Sequence, residues 1–143
     1  MKFLLNGTQM VALVVLVFGL AACGGATAQP AANTVILSDW TIKTPAQVKP
    51  GTYTYTITNN SGPTTHELLV FKSDLGPAAY PMTGGNITED GAGITKISDG
   101  EDLAPGQKQQ RTIDLTQPGK YLFVCNLPAH FGQGMHTAVT VAS

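Results

Sequence analysis

The chain has 143 residues, a length suited to one folded domain, with a formal net charge of −1 and 12% charged residues. This balance excludes a basic nucleic-acid-binding protein, and the low charge content excludes a highly charged disordered chain. Sixteen glycines and nine prolines occur without a repeating period, which excludes a collagen-like chain and predicts many turns. The three histidines and two cysteines are few enough to be considered one by one.

Residues 1–22 have the pattern of a signal peptide for export. Lys2 precedes an apolar run over residues 10–22 that ends in small residues directly before Cys23. The run is shorter than the ~20 residues that cross a bilayer, which favours a removable signal over a permanent transmembrane helix. Small residues before a cysteine resemble the bacterial lipobox, so we expect a lipoprotein with a lipid on Cys23. The alternative is an ordinary secreted protein whose Cys23 is unmodified.

Residues 23–33 are predicted to be the lipidated Cys23 followed by a flexible tether. The stretch 24–33 is small and polar and has no pattern that could bury a face. A tether of this kind reaches roughly 17 Å on average. We therefore expect one folded domain at residues 34–143, outside the cytoplasm on the periplasmic or cell-surface side, anchored to the membrane by its lipid.

The remaining chain predicts strands separated by turns, which favours an antiparallel β-sandwich or barrel. Thr52 to Thr58 alternate strictly between Thr and apolar residues, as a half-buried strand does. We expect Trp40, Tyr53, Tyr55 and Phe123 in the core. The predicted strands cover residues 35–37, 40–42, 52–58, 66–72, 107–115, 120–126 and 137–141. Residues 73–93 predict a long loop that either contains a short helix or covers part of the sandwich.

The chemically informative segment spaces Cys125, His130 and Met135 as Cys-x4-His-x4-Met in a loop between two strands. Thiolate and thioether ligands prefer copper, above all Cu(I), and imidazole suits both copper oxidation states. Two histidines, one cysteine and a distant axial methionine make up a blue-copper electron-transfer site. The loop supplies three of these four ligands, so the second histidine must come from elsewhere.

His66 and His136 are the two candidates for the second histidine. His136 directly follows Met135 and is poorly placed to join a centre that Met135 faces. His66 begins another predicted strand and shares the parity of Leu68 and Val70 on its core-facing side. We therefore predict equatorial ligands from His66, Cys125 and His130, with Met135 as the axial ligand.

Taken singly, each of these residues has an ordinary structural interpretation. Cys125 and Met135 could be core residues, His130 a turn residue, and His66 a strand-end histidine. Their combination in a domain with so few cysteines and histidines favours a copper site.

The stretch YLFVCNLPAHFGQGM resembles the ligand loop of small cupredoxins, the blue copper proteins that include plastocyanins, azurins and auracyanins. The upstream stretch NNSGPTTHELLVF also resembles that family. The resemblance implies an all-β Greek-key sandwich with one copper ion, and one-electron transfer between partner redox proteins through the exposed edge of His130. Glu67 stands where plastocyanins and azurins usually have Asn or Ser, a residue that helps tie the two ligand loops together. Our hypothesis is that Asn126 supplies a comparable tie.

Counting ligands excludes several enzymes, so we expect an electron carrier without enzymatic activity. We also expect the carrier to be a monomer. A multicopper oxidase needs many more histidines, and a binuclear copper centre needs two cysteines in one loop. A structural zinc site rarely uses Met, and a Cys–His protease draws its base from a distant element. Two alternatives remain: an extracytoplasmic copper chaperone or scavenger, and a metal-free adhesive sandwich that would not need this combination of side chains.

Two surface features have open interpretations. Five of the nine acidic residues lie between Glu89 and Asp102, which is typical of a solvated face, although a docking patch for a basic partner is the alternative. The apolar residues 127–129 and Phe131 surround His130, and they serve either loop packing or contact with a transient redox partner.

Overall fold

The computed structural model describes residues 31–143. The predicted signal peptide at residues 1–22, the lipidation site Cys23 and most of the predicted tether lie outside these residues. Within the described part of the chain, no helix combines the length and hydrophobicity required to span a bilayer.

The described residues form short strands joined by turns, with a single 3-10 turn at Pro77–Ala79. In chain order the strands are β1 (Thr34–Ser38), β2 (Thr41–Lys43), β3 (Gln47–Val48), β4 (Gly51–Asn59), β5 (Leu69–Lys72), β6 (Met82–Thr83), β7 (Asn86–Ile87), β8 (Thr95–Ser98), β9 (Lys108–Leu115), β10 (Gly119–Val124) and β11 (His136–Val141).

Two sheets pack face to face, and the predicted all-β Greek-key sandwich is confirmed. One sheet has the order β2-β1-β4-β9 and the other β3-β11-β10-β5-β8, while β6 and β7 form a separate small hairpin. β1 pairs with β4 in parallel and β3 with β11 in parallel, whereas the other pairs are antiparallel. The crossovers place β10 between β5 and β11, so the strand that precedes Cys125 lies in the middle of its sheet.

The alternation in β4 produces the expected two faces. Tyr55 and Ile57 are fully buried in the main core between the sheets. The threonines face outward, where Thr54 and Thr112 of β9 share a hydrogen bond of 3.1 Å. Tyr55 packs edge-on against Phe123 with ring centroids 6.0 Å apart, so two of the four predicted core aromatics are confirmed.

β5 is buried on both faces, and this explains the segment 73–93. Leu68 and Val70 face the main core, whereas Leu69 and Phe71 belong to a second apolar cluster. The segment 73–93 supplies Tyr80 and Ile87 to that second cluster, so it covers the outer face of the sheet. The segment therefore covers part of the sandwich, and it also contains the short 3-10 turn at Pro77–Ala79, so both expected features are present.

The prediction that Trp40 is a core residue is wrong. Trp40 is 42% exposed and lies in the turn between β1 and β2, where its backbone has a φ of 61°. Tyr53 is only partly buried, and its hydroxyl donates a hydrogen bond of 2.6 Å to the Lys49 carbonyl. The predicted strand at 66–72 is also shorter than expected: His66 makes an isolated bridge to Leu103, and β5 begins at Leu69.

Candidate metal centre

The loop 125–135 is closed at its base by Cys125 and Met135, two of the four predicted ligands. β10 and β11 pair up to Val124 and His136, and the next pair brings the Cys125 N–H within 3.0 Å of the Met135 carbonyl. Inside the loop, the Met135 N–H donates to the His130 carbonyl at 3.1 Å. This compact turn brings the three loop residues to one end of the sandwich.

The structure brings His66, Cys125 and His130 together. Their donor atoms all lie within 4.8 Å of one another. The Cys125 Sγ is 3.1 Å from the His130 Nδ1 and 3.9 Å from the His66 Nδ1, and the two Nδ1 atoms are 3.3 Å apart. Bonds of about 2.0–2.3 Å to one shared ion place neighbouring donor atoms about 3–4 Å apart, so the three residues are spaced to bind a single metal ion.

Burial differs among the predicted ligands. His66, Cys125 and Met135 are completely buried, whereas His130 is only partly buried. Met135 belongs to the same core cluster as Cys125. His136, the candidate that we rejected, stacks on Phe131 with ring centroids 4.6 Å apart and does not belong to the group of clustered donors.

The side of His66 that faces away from the other donors is held by polar side chains. Its Nε2 lies 2.7 Å from the Ser61 hydroxyl and 3.5 Å from the Asp39 carboxylate. A proton on Nε2 donates a hydrogen bond to the Ser61 hydroxyl and is attracted by the Asp39 carboxylate, which leaves the Nδ1 lone pair free for a metal. Burial, followed by the neighbouring His130, lowers the pKa of His66, which favours the neutral imidazole that metal binding requires.

The loop that carries Ser61 and His66 is organised by Asn59, a residue that the sequence marks only as the start of a turn. The Asn59 amide donates to the carbonyls of Thr64 at 2.8 Å and Leu103 at 2.7 Å. Its side-chain oxygen accepts the Ser61 N–H at 2.9 Å. Because Asn59 is fully buried, these bonds fix the path of the chain toward His66.

Glu67 makes the tie between the two ligand loops that we assigned to Asn126. The Glu67 carboxylate accepts the Asn126 backbone N–H at 3.0 Å, and the Glu67 N–H lies 3.5 Å from the Cys125 Sγ. The Asn126 side chain instead bonds to the Ile87 backbone and to Glu89. Our hypothesis for the Asn126 side chain was therefore wrong: it joins the cysteine loop to β7 and Glu89 of the segment that covers the sheet.

Burial dominates the electrostatics of the centre. Burial raises the pKa of the Cys125 thiol, although the Glu67 N–H partly opposes this effect. Burial also raises the pKa of Glu67 to about 7, with the Asn126 N–H opposing and Asp102, Glu89 and Asp99 adding to the rise. A cation between the donors would reverse this balance, because it favours the ionised forms of both groups.

The sequence matches the family model described as copper binding proteins, plastocyanin/azurin family, over residues 42–142. The chain belongs to this family. Members of this cupredoxin family are generally electron carriers, and copper is the cofactor that its ligand residues take. The donor set agrees, since one thiolate, two imidazoles and a thioether are soft or borderline ligands suited to copper.

Solved structures share the cupredoxin fold. An auracyanin from Roseiflexus castenholzii is 24% identical with a TM-score of 0.57, and the match covers 80% of this chain and 100% of that one. Auracyanin A from Chloroflexus aurantiacus is 19% identical with a TM-score of 0.52, covering 76% and 99%. Rusticyanin from Thiobacillus ferrooxidans is 13% identical with a TM-score of 0.55, covering 76% of each chain. A comparison with curated protein sequences returned no match.

Proposed function

We propose that this cupredoxin is a one-electron carrier whose single type 1 copper centre is formed by His66, Cys125, His130 and Met135. The observation that carries the proposal is the closed group of three donors within 4.8 Å, two of them fully buried. Bound copper would supply a one-electron couple between Cu(II) and Cu(I). Met135 is assigned as the axial ligand because it is fully buried beside Cys125 in the core.

The protein's contribution is to hold the ligands still. Ser61 fixes the ring of His66 from behind, and Glu67 joins the loop of His66 to the loop of Cys125. Met135 and Cys125 are tied to each other through the backbone. Such constraints restrict ligand movement when the charge of the centre changes, which lowers the reorganisation that electron transfer requires.

His130 is the predicted point of electron entry and exit, because it is the least buried of the three clustered donors. The exposed residues Pro128 and Ala129 lie beside it, whereas Leu127 and Phe131 are partly buried and pack against the two apolar clusters. We propose that the exposed residues contact donor and acceptor redox proteins in small transient interfaces. In this role the protein is a monomer and transforms no substrate, so it is not an enzyme.

The proposed location is the extracytoplasmic side of a membrane, with the domain tethered through a lipid on Cys23. The support is the sequence of residues 1–33, which has an apolar run, small residues before Cys23 and a polar tether. Mass spectrometry of the exported protein should find an N-terminal Cys23 that carries a lipid. An exported protein whose Cys23 is unmodified would contradict the lipid anchor.

The competing role is copper delivery or scavenging, and metal exchange separates the two functions. A carrier retains its copper through many cycles of reduction and reoxidation, whereas a delivery protein releases it to an acceptor. The test is repeated electrochemical cycling of copper-loaded protein in the presence of a Cu(I) chelator. We expect a constant redox signal and little chelated copper. Rapid loss of copper on the first reduction would instead favour the delivery function.

A further inference from the structure

The turn between β1 and β2 brings two consecutive side chains to the two histidines of the centre. Asp39 lies 3.5 Å from the His66 Nε2. Trp40, the next residue, meets the His130 ring edge-on, with centroids 5.2 Å apart and an interplanar angle of 89°. One short turn from the other sheet therefore contacts both imidazoles: Asp39 at the His66 Nε2 and Trp40 at the ring of His130.

The backbone of this turn is unfavourable for the residue that occupies it. The pairing of Ser38 with Thr41 leaves Asp39 and Trp40 as the two central residues of the turn. Trp40 has a φ of 61°, a conformation that turns of this kind usually assign to Gly or Asn. Non-glycine residues in this region are strained, and such strain concentrates at functional sites. A large aromatic residue that is 42% exposed has little packing reason to occupy this position.

The turn is also well anchored. β1 lies between β2 and β4 in its sheet, and the Asn60 N–H donates to the Leu37 carbonyl at 2.7 Å. Asn60 immediately precedes Ser61, which shares the His66 Nε2 with Asp39. The turn and the loop before His66 thus form one connected support.

We propose that Asp39 and Trp40 are positioning residues for the copper centre: Asp39, together with Ser61, keeps the His66 Nε2 as the hydrogen-bond donor, and Trp40 limits rotation of His130. This inference rests on the proposed copper site and goes beyond it. Side chains that orient metal-bound histidines typically change metal affinity by 10–100-fold when they are replaced. Loss of both contacts should therefore weaken copper retention by at least tenfold.

The test is the double variant Asp39→Ala/Trp40→Gly. Glycine suits a positive φ, so the metal-free variant should unfold at the same temperature as the wild type or at a higher one. Copper release to a Cu(I) chelator should nevertheless be at least tenfold faster, with a shifted reduction potential. Such opposite changes in stability and copper retention separate positioning of the ligands from support of the fold.

Four further variants complete the test: Trp40→Phe, Trp40→Gly and two controls away from the centre. Trp40→Phe keeps an aromatic edge against His130 and should retain copper nearly as well as the wild type. Asp114→Asn removes an exposed carboxylate and is the control for Asp39. Met82→Ala removes the other large apolar side chain that is exposed among the described residues, and it is the control for Trp40. Both controls should leave copper release unchanged. If the double variant misfolds, slower copper release from Trp40→Phe than from Trp40→Gly supports the inference, and equal rates overturn it.

Wild-type rates of copper release and a wild-type potential in a folded double variant would overturn the inference and leave the copper site intact. In a double variant that still folds, a parallel loss of thermal stability and copper retention would also overturn it, because the turn would then act only on the fold. By contrast, a wild-type protein that binds copper without a thiolate-to-copper absorption would overturn the proposed function itself.

Discussion

Glu67→Gln is the substitution whose effect follows most directly from the geometry of the centre. The glutamine side-chain oxygen can still accept the Asn126 N–H, which Glu67 accepts at 3.0 Å, so the tie between the loops is preserved. What the substitution removes is a carboxyl group whose pKa burial raises from 4.5 to about 7. Its effect on stability must therefore depend on pH.

The sign follows from proton binding in the two states. Below pH 4.5 Glu67 is protonated in both the folded and the unfolded protein, and it contributes no difference between wild type and variant. Between about pH 4.5 and 7 the unfolded protein loses this proton while the folded protein keeps it, so the wild type loses stability as pH rises. Above pH 7 the loss is complete, and Glu67→Gln should be the more stable protein.

The magnitude is modest. A pKa displacement of this size would correspond to about 3 kcal/mol for a fully buried group, at about 1.4 kcal/mol for each pKa unit. Glu67 is only partly buried, so solvent screening reduces the expected gain to about 1–2 kcal/mol. In a domain of this size that gain raises the melting temperature by about 4 °C or more.

The assay is thermal unfolding of metal-free wild-type protein and Glu67→Gln at pH 4.5 and pH 8. The two melting temperatures should agree at pH 4.5 and diverge at pH 8, and the divergence should shrink in copper-loaded protein because a nearby cation favours the carboxylate. Glu101→Gln, the same change at an exposed position, is the matched control and should have no such effect. Parallel pH dependence of Glu67→Gln and wild type would refute the reasoning.

Three other predictions concern the core and the ligands. The Tyr55 hydroxyl is buried and lacks a hydrogen-bond partner within the described residues. Tyr55→Phe should therefore raise the free energy of unfolding by about 1 kcal/mol in a denaturant titration, and a decrease would show that the hydroxyl has a partner. Met135→Gln should keep the thiolate-to-copper colour but lower the reduction potential, and an unshifted potential in voltammetry would mean that Met135 is not axial. Burial keeps the Cys125 thiol protonated at pH 8, where Glu67 is already largely ionised, so copper binding at that pH should release about one proton, measured by calorimetry in buffers of different ionisation enthalpy. Cys125→Ser should lose most of this release, and a full proton released by Cys125→Ser would contradict the assignment.

The sequence was most informative where a residue's role depends on local pattern. The Thr alternation of β4 predicted a strand with Tyr55 and Ile57 inward, and the structure places both in the core. Cys125, His130 and Met135 lie in one short loop, so their spacing alone predicted that they share a site. His66 alternates in step with Leu68 and Val70, and this pattern predicted that the His66 side chain points inward.

The sequence was least informative where the role depends on contacts between distant segments. Trp40 has the large apolar side chain of a typical core residue, but the two-residue turn places it at the surface, against His130. The tie between the ligand loops was assigned to the Asn126 side chain, whereas Glu67 makes it, because both side chains find their partners on segments far away in the sequence. The short strands β3 and β8 owe their structure to pairing with longer neighbours rather than to their own patterns.

The visible and electron paramagnetic resonance spectra of the copper-loaded protein test the central claim most directly, with Cys125→Ser as the control. One Cu(II) bound to the Cys125 thiolate between two imidazoles predicts an intense blue or green absorption and a type 1 resonance, and both should vanish in Cys125→Ser. A colourless wild-type protein that carries one equivalent of Cu(II) would contradict the account.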